Sequence, residues 1–384
     1  MPPVFRLLAG GCLALTVGMG VARFLYTPVL PLMQGAEGFG PDIAGLVGSA
    51  NFLGYFVGSL AMSAVTSEPL RLRVFRLALI ANVVVTVAMG LTRDPLAWMA
   101  IRAASGLASA ACLIAAAHYV IEALAADKRE RFVWLHWSGV SLGIAASALF
   151  VGQAAGALGW QQIWIAAGLA AAAATPVIWV TVKPWRHPPA VRQGPAPRAA
   201  RPFPFLPLVG AYFCEGLGYS VFATFIVAIL KARPGLEATA DHAWIAVGLV
   251  GIPAALAWSR LSERIGYARP LALAFLAQAV GVALPALSDA PAVALLAAVL
   301  FGATFMPITL MILPLGRAGA GGRGIALLTA AFGLGQIVGP AAAGYAVAGG
   351  VGFGATLAVS AAVVALGMAL VVAGIVMSGR HRAG

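Results

Sequence analysis

The sequence predicts an all-α integral membrane protein of twelve transmembrane helices in two six-helix pseudo-symmetric bundles. Three observations predict it. Of the 384 residues, 61% are hydrophobic and only 9% are charged, against about 25% charged in a typical soluble domain. The mean hydropathy is +0.96. The apolar residues also fall into long runs, six on each side of a basic, proline-rich stretch. A spanning helix needs about 20 apolar residues, or about 30 with its turn. A chain of 384 residues is therefore filled by about twelve spans. This excludes a soluble globular enzyme, a disordered chain and a disulfide-stapled module.

The first six runs lie at roughly 5–33, 42–65, 74–92, 95–122, 132–155 and 160–182. The second six lie at roughly 205–230, 243–259, 270–288, 291–316, 324–348 and 350–377. Strands would show shorter, alternating segments, so helices are the spanning form. The run from Leu7 continues to Met33 without a small-residue cleavage pattern, which reads as a first span, not a cleaved signal peptide. Between the sets, KPWRHPPAVRQGPAPRAARPFP holds five basic residues and no acid, a composition that suits an extended, solvated linker. The expected domains are 1–182 and 205–384, with 183–204 as a cytoplasmic linker.

Charge sets the expected orientation. With a cytoplasmic N-terminus, 19 of the 24 basic residues fall in inside loops and termini, and three (Arg93, Lys231, Arg233) fall outside. This bias follows the positive-inside rule and places both termini in the cytoplasm. It also accounts for the net charge of +12 without a nucleic-acid partner. Cys12, Cys112 and Cys214 lie inside apolar runs and read as small buried residues, not as a disulfide framework or metal site.

The first run holds GMGVARFLYT from Gly18, and the seventh holds GLGYSVFATF from Gly216. In register, both have Gly-x-Gly followed four residues later by Phe24 or Phe222. A duplicated six-helix unit places such a match at the first helix of each half. Gly139 and Gly143 in the fifth run, and Gly335, Gly339-Pro340 and Gly344 in the eleventh, let helices approach closely. Pro340 removes a helix hydrogen bond and would favour bending.

These features resemble the major facilitator superfamily. The loop SRLSERIGYARP is similar to its acidic-basic-glycine loop, with Glu263, Arg264, Gly266 and Arg269 filling the pattern. The matching first-half loop, SEPLRLRVFR, keeps arginines but loses the glycine and aspartate. Arg102-x-x-x-Gly106-x-x-x-Ala110 is similar to the superfamily's buried arginine motif. GMGVARFLYTPVLPLMQ, GSANFLGYFVGSL, HWSGVSLGIAASALF and FGLGQIVGPAAAGY resemble the YbfB/YjiJ-type branch over nearly the whole chain. The resemblance implies the major facilitator fold, a transporter, a monomer, and a cavity lined by helices 1, 4, 7 and 10. The fifth helix lacks the Gly-Pro pair of the superfamily's drug antiporters.

Ionisable residues within the bilayer are the strongest functional pointers, since each costs about 2.5–3.5 kcal/mol near a helix centre. Arg23 sits about 6–8 Å outward of the middle of helix 1, and Arg102 lies in the outer half of helix 4. Two arginines at similar depth suit bidentate carboxylate recognition. Glu215 is the one acid well inside a span, about 9 Å from Arg23 along the axis in the repeat register. A pair with Arg23 and a proton-carrying role both stay open for it. His118 reads as packing or interfacial, and His136, beside Trp134 and Trp137, as part of an interfacial aromatic belt. Tyr26, Thr27, Asn51, Tyr55, Tyr219, Thr304, Thr309 and Gln336 are candidate pocket linings.

No Walker A run, Ser/His/Asp set, His-Glu-x-x-His motif or paired intramembrane carboxylate occurs. The sequence thus predicts a secondary transporter without cofactor or metal, not an enzyme. Its expected partners are the lipid bilayer of a bacterial inner membrane, a small anionic or zwitterionic organic solute bound at Arg23, Arg102 and the polar linings, and protons at Glu215. Export of hydrophobic or cationic compounds is the alternative within transport. A non-transporting scaffold or sensor is the alternative from another class.

Overall fold

The computed structural model describes residues 2–185 and 203–380. Among them are twelve helices long and apolar enough to cross a membrane. The first six are α1 (Pro3–Glu37), α2 (Pro41–Ser63), α3 (Glu68–Met89), α4 (Pro95–Ala126), α5 (Glu130–Ala154) and α6 (Trp160–Thr181). The second six are α7 (Phe205–Lys231), α8 (Glu237–Ile265), α9 (Ala268–Leu287), α10 (Pro291–Ala320), α11 (Arg323–Ala348) and α12 (Phe353–Ser378). The chain divides into two compact units, Met1–Phe39 with Leu46–Arg192 and Gly40–Gly45 with Gln193–Gly384. Most of the expected linker, residues 186–202, lies outside the described residues.

Local chemistry sets helix boundaries. Asp94 precedes Pro95, and its carboxylate accepts the Leu96 and Ala97 N–H groups at 3.1 and 3.3 Å, a side-chain cap at the start of α4. Gly266 closes α8 at φ 83°, ψ 164°, a conformation essentially restricted to glycine. The backbone is helical from Phe305 to Ala348, yet the chain doubles back between α10 and α11. Leu315 and Leu328 share one apolar cluster, and a Cβ on Gly324 would abut the Gly316 carbonyl. Eight residues along a straight helix would separate those groups by about 12 Å.

Each unit has its own core. In the first, Val17, Phe75, Leu79, Tyr119 and Ile178 pack together. In the second, Leu208, Leu271, Phe275, Ile308 and Val364 do so. The outer faces stay apolar: Leu77, Ile80 and Val84 on α3, and Val359, Leu366 and Val376 on α12, are exposed. Apolar faces of this kind suit lipid, not water.

Without a hydrophobic force between helices in lipid, close packing holds the bundle. Gly139 and Gly143 of α5 leave room for the backbone of α1 at Cys12, Thr16 and Gly20. Gly335 and Gly339 of α11 do the same for α7 at Phe213 and Leu217. The short repeat seen in α1 and α7 is therefore matched in packing, since each helix is gripped by its own unit's fifth helix through two glycines four residues apart.

Two helices are interrupted, and a proline follows each break. In α1 a π-helical turn spans Thr16–Val21, with Ala22 N–H bonding to Val17 O and Phe24 N–H to Met19 O. Pro28 has no N–H for the Phe24 carbonyl; the Thr27 N–H takes it instead at 3.3 Å, which releases the Arg23 carbonyl. In α10 the break falls at Ala303–Thr304. Pro307 cannot bond the Ala303 carbonyl, and the Trp258 indole of α8 donates to it at 2.8 Å.

Trp258→Phe should therefore leave a part-buried carbonyl unmet, lowering stability by about 1 kcal/mol in thermal unfolding of detergent-purified protein. Adding Pro307→Ala restores the N–H and should recover much of the loss. No recovery would mean that the indole matters only by packing.

Candidate functional site: a caged arginine on the interrupted first helix

The carbonyls freed in α1 are met by side chains of α4 and α5. Ser147 donates to Gly20 O at 3.2 Å, and Ser105 donates to Ala22 O at 2.9 Å. Arg102 donates from Nη1 to Ala22 O at 2.7 Å and from Nη2 to Arg23 O at 2.9 Å. Its guanidinium also lies over the Tyr26 ring, 5.1 Å from the centroid. Arg102, 3% exposed, thus commits both Nη groups to the backbone of α1, while its Nε has no hydrogen-bond partner among the described residues. Gly106, one turn further along α4, admits the α2 backbone at Asn51 and Tyr55. Asn51 donates to the Arg102 carbonyl at 3.0 Å, which ties α2 to the same segment.

Arg23 is held differently. Its guanidinium sits 4.4 Å from the Tyr55 centroid, 4.7 Å from Phe52 and 5.5 Å from Phe24. Phe52 and Tyr55 are three apart on α2 and so share a face. The side chain is 5% exposed. Its Nε and Nη2 have no hydrogen-bond partner among the described residues. Those two donors share one edge of the guanidinium, the side-on fork that fits two oxygens of one carboxylate. Cation–π attraction stabilises the charge without using these donors.

Thr27 is buried in the same turn. The remaining polar candidates lie in the second unit. Gln336 of α11 donates to Tyr219 Oη at 2.8 Å. Tyr219 stacks within 14° of parallel on Phe301, Phe305 and Phe332. Phe332 stacks on Tyr212 at 4.4 Å, whose hydroxyl donates to Thr309 at 3.0 Å. Thr304 turns its hydroxyl to Leu300 O and Phe301 O of its own helix. Glu215, 1% exposed, accepts a 2.7 Å hydrogen bond from Gln278 of α9.

At the α8–α9 loop, Glu263, Arg264 and Arg269 are exposed, without ion pairs among the described residues. Burial and the neighbouring Glu263 hold the Tyr267 phenol above its ordinary range. The degenerate first-half loop carries a denser network. Arg71 Nη1 reaches Glu68 at 2.8 Å and His118 Nε2 at 2.8 Å. His118 also lies 3.3 Å from Glu122. The histidine read from sequence as packing or interfacial thus joins an ionic cluster at the end of α4. The reading of His136 needs correction. It is fully buried, not in an interfacial belt, because Gly11 of α1 has no side chain to occupy the space its ring fills.

Sequence reasoning missed Ser105, Ser147, Phe52 and Gln278. Ser105 and Phe52 carried a legible signal, since each lies three residues from a singled-out residue, Arg102 or Tyr55. Gln278 is the one amide within an otherwise apolar ninth run.

Comparison with known proteins identifies the family. The family described as uncharacterised MFS-type transporter YbfB matches residues 15–372. The chain belongs to this family of major facilitator transporters. Solved structures agree on the fold. A crystal structure of a mutant of the nucleoside transporter NupG is 13% identical with a TM-score of 0.71, covering 98% of this chain and 100% of that one. A bacterial homologue of the human lysosomal transporter Spinster, inward-facing and unoccupied, is 17% identical with a TM-score of 0.67, covering 98% and 95%. No curated protein matches the chain.

Arg102→Lys keeps the charge but cannot reach both carbonyls with one planar group. It should lower unfolding stability by about 1.5–3 kcal/mol, the range for hydrogen bonds from charged donors. An unchanged melting midpoint would show that the α1 turn does not depend on Arg102.

Proposed function

We infer that this transporter moves a small organic anion or zwitterion across the membrane by alternating access, with its carboxylate gripped by the Nε/Nη2 edge of Arg23. The observation that carries the reading is that edge: two donors on a buried, aromatic-caged guanidinium without a partner among the described residues. A buried cation with unmet donors is costly unless something pairs with it. In this reading Arg102 is a positioning residue that holds the Arg23 backbone, and Tyr26, Thr27, Asn51 and Tyr55 shape the same turn. Tyr219, Gln336 and Thr304 are candidate substrate-binding residues within the second unit. Glu215 couples transport to protons, and the Glu263–Arg269 loop acts in gating.

The membrane is a bacterial inner membrane and both termini face the cytoplasm. Ion pairing supports this orientation. All three basic residues assigned outside meet acids: Arg93 with Glu37, Lys231 with Asp241 and Arg233 with Asp289. Arg73, Arg76, Arg260, Arg264 and Arg269, assigned inside, have no ion pair among the described residues. The positive charge left for anionic lipid headgroups is therefore on one side. The transporter works as a monomer and needs no cofactor or nucleic acid.

A thermal-shift screen of purified protein against small carboxylates, amino acids and hydrophobic cations tests the reading. A bound anion at 100 times its dissociation constant should stabilise the fold by about 2.7 kcal/mol, and Arg23→Ala should abolish the shift. The same anion should then drive counterflow in proteoliposomes. Stabilisation by cations alone, undiminished in Arg23→Ala, would instead favour export of cationic compounds.

A further inference from the structure

Glu215 lies on α7, the most enclosed of the twelve helices. Its Oε1 accepts the Gln278 Nε2 hydrogen bond at 2.7 Å. Gln278 is fully buried. Two atoms of this pair have no partner among the described residues: Glu215 Oε2 and Gln278 Oε1. Both are acceptors when the glutamate is ionised. No other described residue supplies the pair with a donor. Charged residues of the helices packed on α7 sit toward helix ends: Glu237, Asp241 and His242 at the start of α8, Arg260, Glu263 and Arg264 at its close, Arg269 on α9, Arg317 on α10 and Arg323 on α11. On α7 itself the titratable groups within about one turn of Glu215 are Tyr212, Cys214 and Tyr219.

We propose that Glu215 and Gln278 form a proton-binding acid–amide pair, in which one proton on Glu215 Oε2 is donated to Gln278 Oε1. With that proton the pair closes a ring of two hydrogen bonds, and both orphan acceptors are met at once. Without it, a buried carboxylate keeps a single neutral donor and the amide oxygen keeps none, a costly state. Loss of the proton therefore requires that α7 and α9 part or admit water, which links proton release to a change in their packing. Gln278 acts as a positioning residue through Glu215. The inference rests on the proton-coupling reading only for its purpose in transport; the pair itself is read from its hydrogen bonds.

The test is infrared spectroscopy of the full-length protein in lipid nanodiscs. At neutral pH the wild type should show a protonated, hydrogen-bonded carboxyl stretch that disappears in Glu215→Gln. In Gln278→Leu the band should move to the position of a free carboxyl or be lost. Glu215→Gln replaces the acid with a neutral donor, so it should melt at the wild-type temperature, whereas Glu215→Leu should melt lower. Absence of a Glu215-dependent carboxyl band in the wild type at neutral pH would overturn the proposal. So would a band that Gln278→Leu leaves unmoved. Counterflow that ignores pH while the band persists would remove proton coupling but leave the pair standing.

Discussion

The first unit depends on how the released carbonyls of α1 are satisfied. In a bilayer, backbone groups must find partners within the protein, and irregular backbone survives only where the protein supplies them. Pro28 and the glycines at 18 and 20 unsettle the helix, and Ser147, Ser105 and Arg102 meet the carbonyls of Gly20, Ala22 and Arg23. The consequence reaches the candidate site directly. The residue whose carbonyl Arg102 holds is Arg23, whose side chain stands in the aromatic cage. Backbone repair and presentation of a charged group are one structure.

The second unit solves a similar problem with a neutral donor. Pro307 releases a carbonyl in α10, and Trp258 meets it. The difference in donor matters. An arginine carries a permanent positive charge into the first unit beside the already cationic Arg23, whereas an indole adds none beside the Tyr219 stack. The first unit thus buries positive charge and the second buries flat aromatic surface, with one buried acid among its described residues paired to an amide. Two halves that share a short repeat and a glycine grip have diverged in the chemistry each one buries.

Close helix approach makes both arrangements possible. Gly20 and Gly143 bring α1 and α5 together where Ser147 bonds Gly20 O, and Gly54 and Gly106 bring α2 and α4 together where Asn51 bonds the Arg102 carbonyl. A Cβ at any of those positions would overlap the backbone of the neighbouring helix. The glycines therefore fix distances that the polar contacts then use.

Much of this was legible in the sequence. The length and spacing of apolar runs determined twelve spans, because a bilayer of given thickness demands them. Rarity of charge in those runs singled out Arg23, Arg102 and Glu215, because insertion is costly for each. The Gly-x-x-x-Gly pair of the fifth run announced its packing. Sequence alone could not tell which arginine bonds to the α1 backbone and which stands in the aromatic cage, since the carbonyls that claim Arg102 lie 80 and 79 positions away. Nor could it pair Glu215 with Gln278, 63 positions on, or bury His136. Periodicity and insertion cost act along the chain, one helix at a time. Hydrogen-bond partners, cages and orphan donors are decided between helices, and only the tertiary structure brings those helices together.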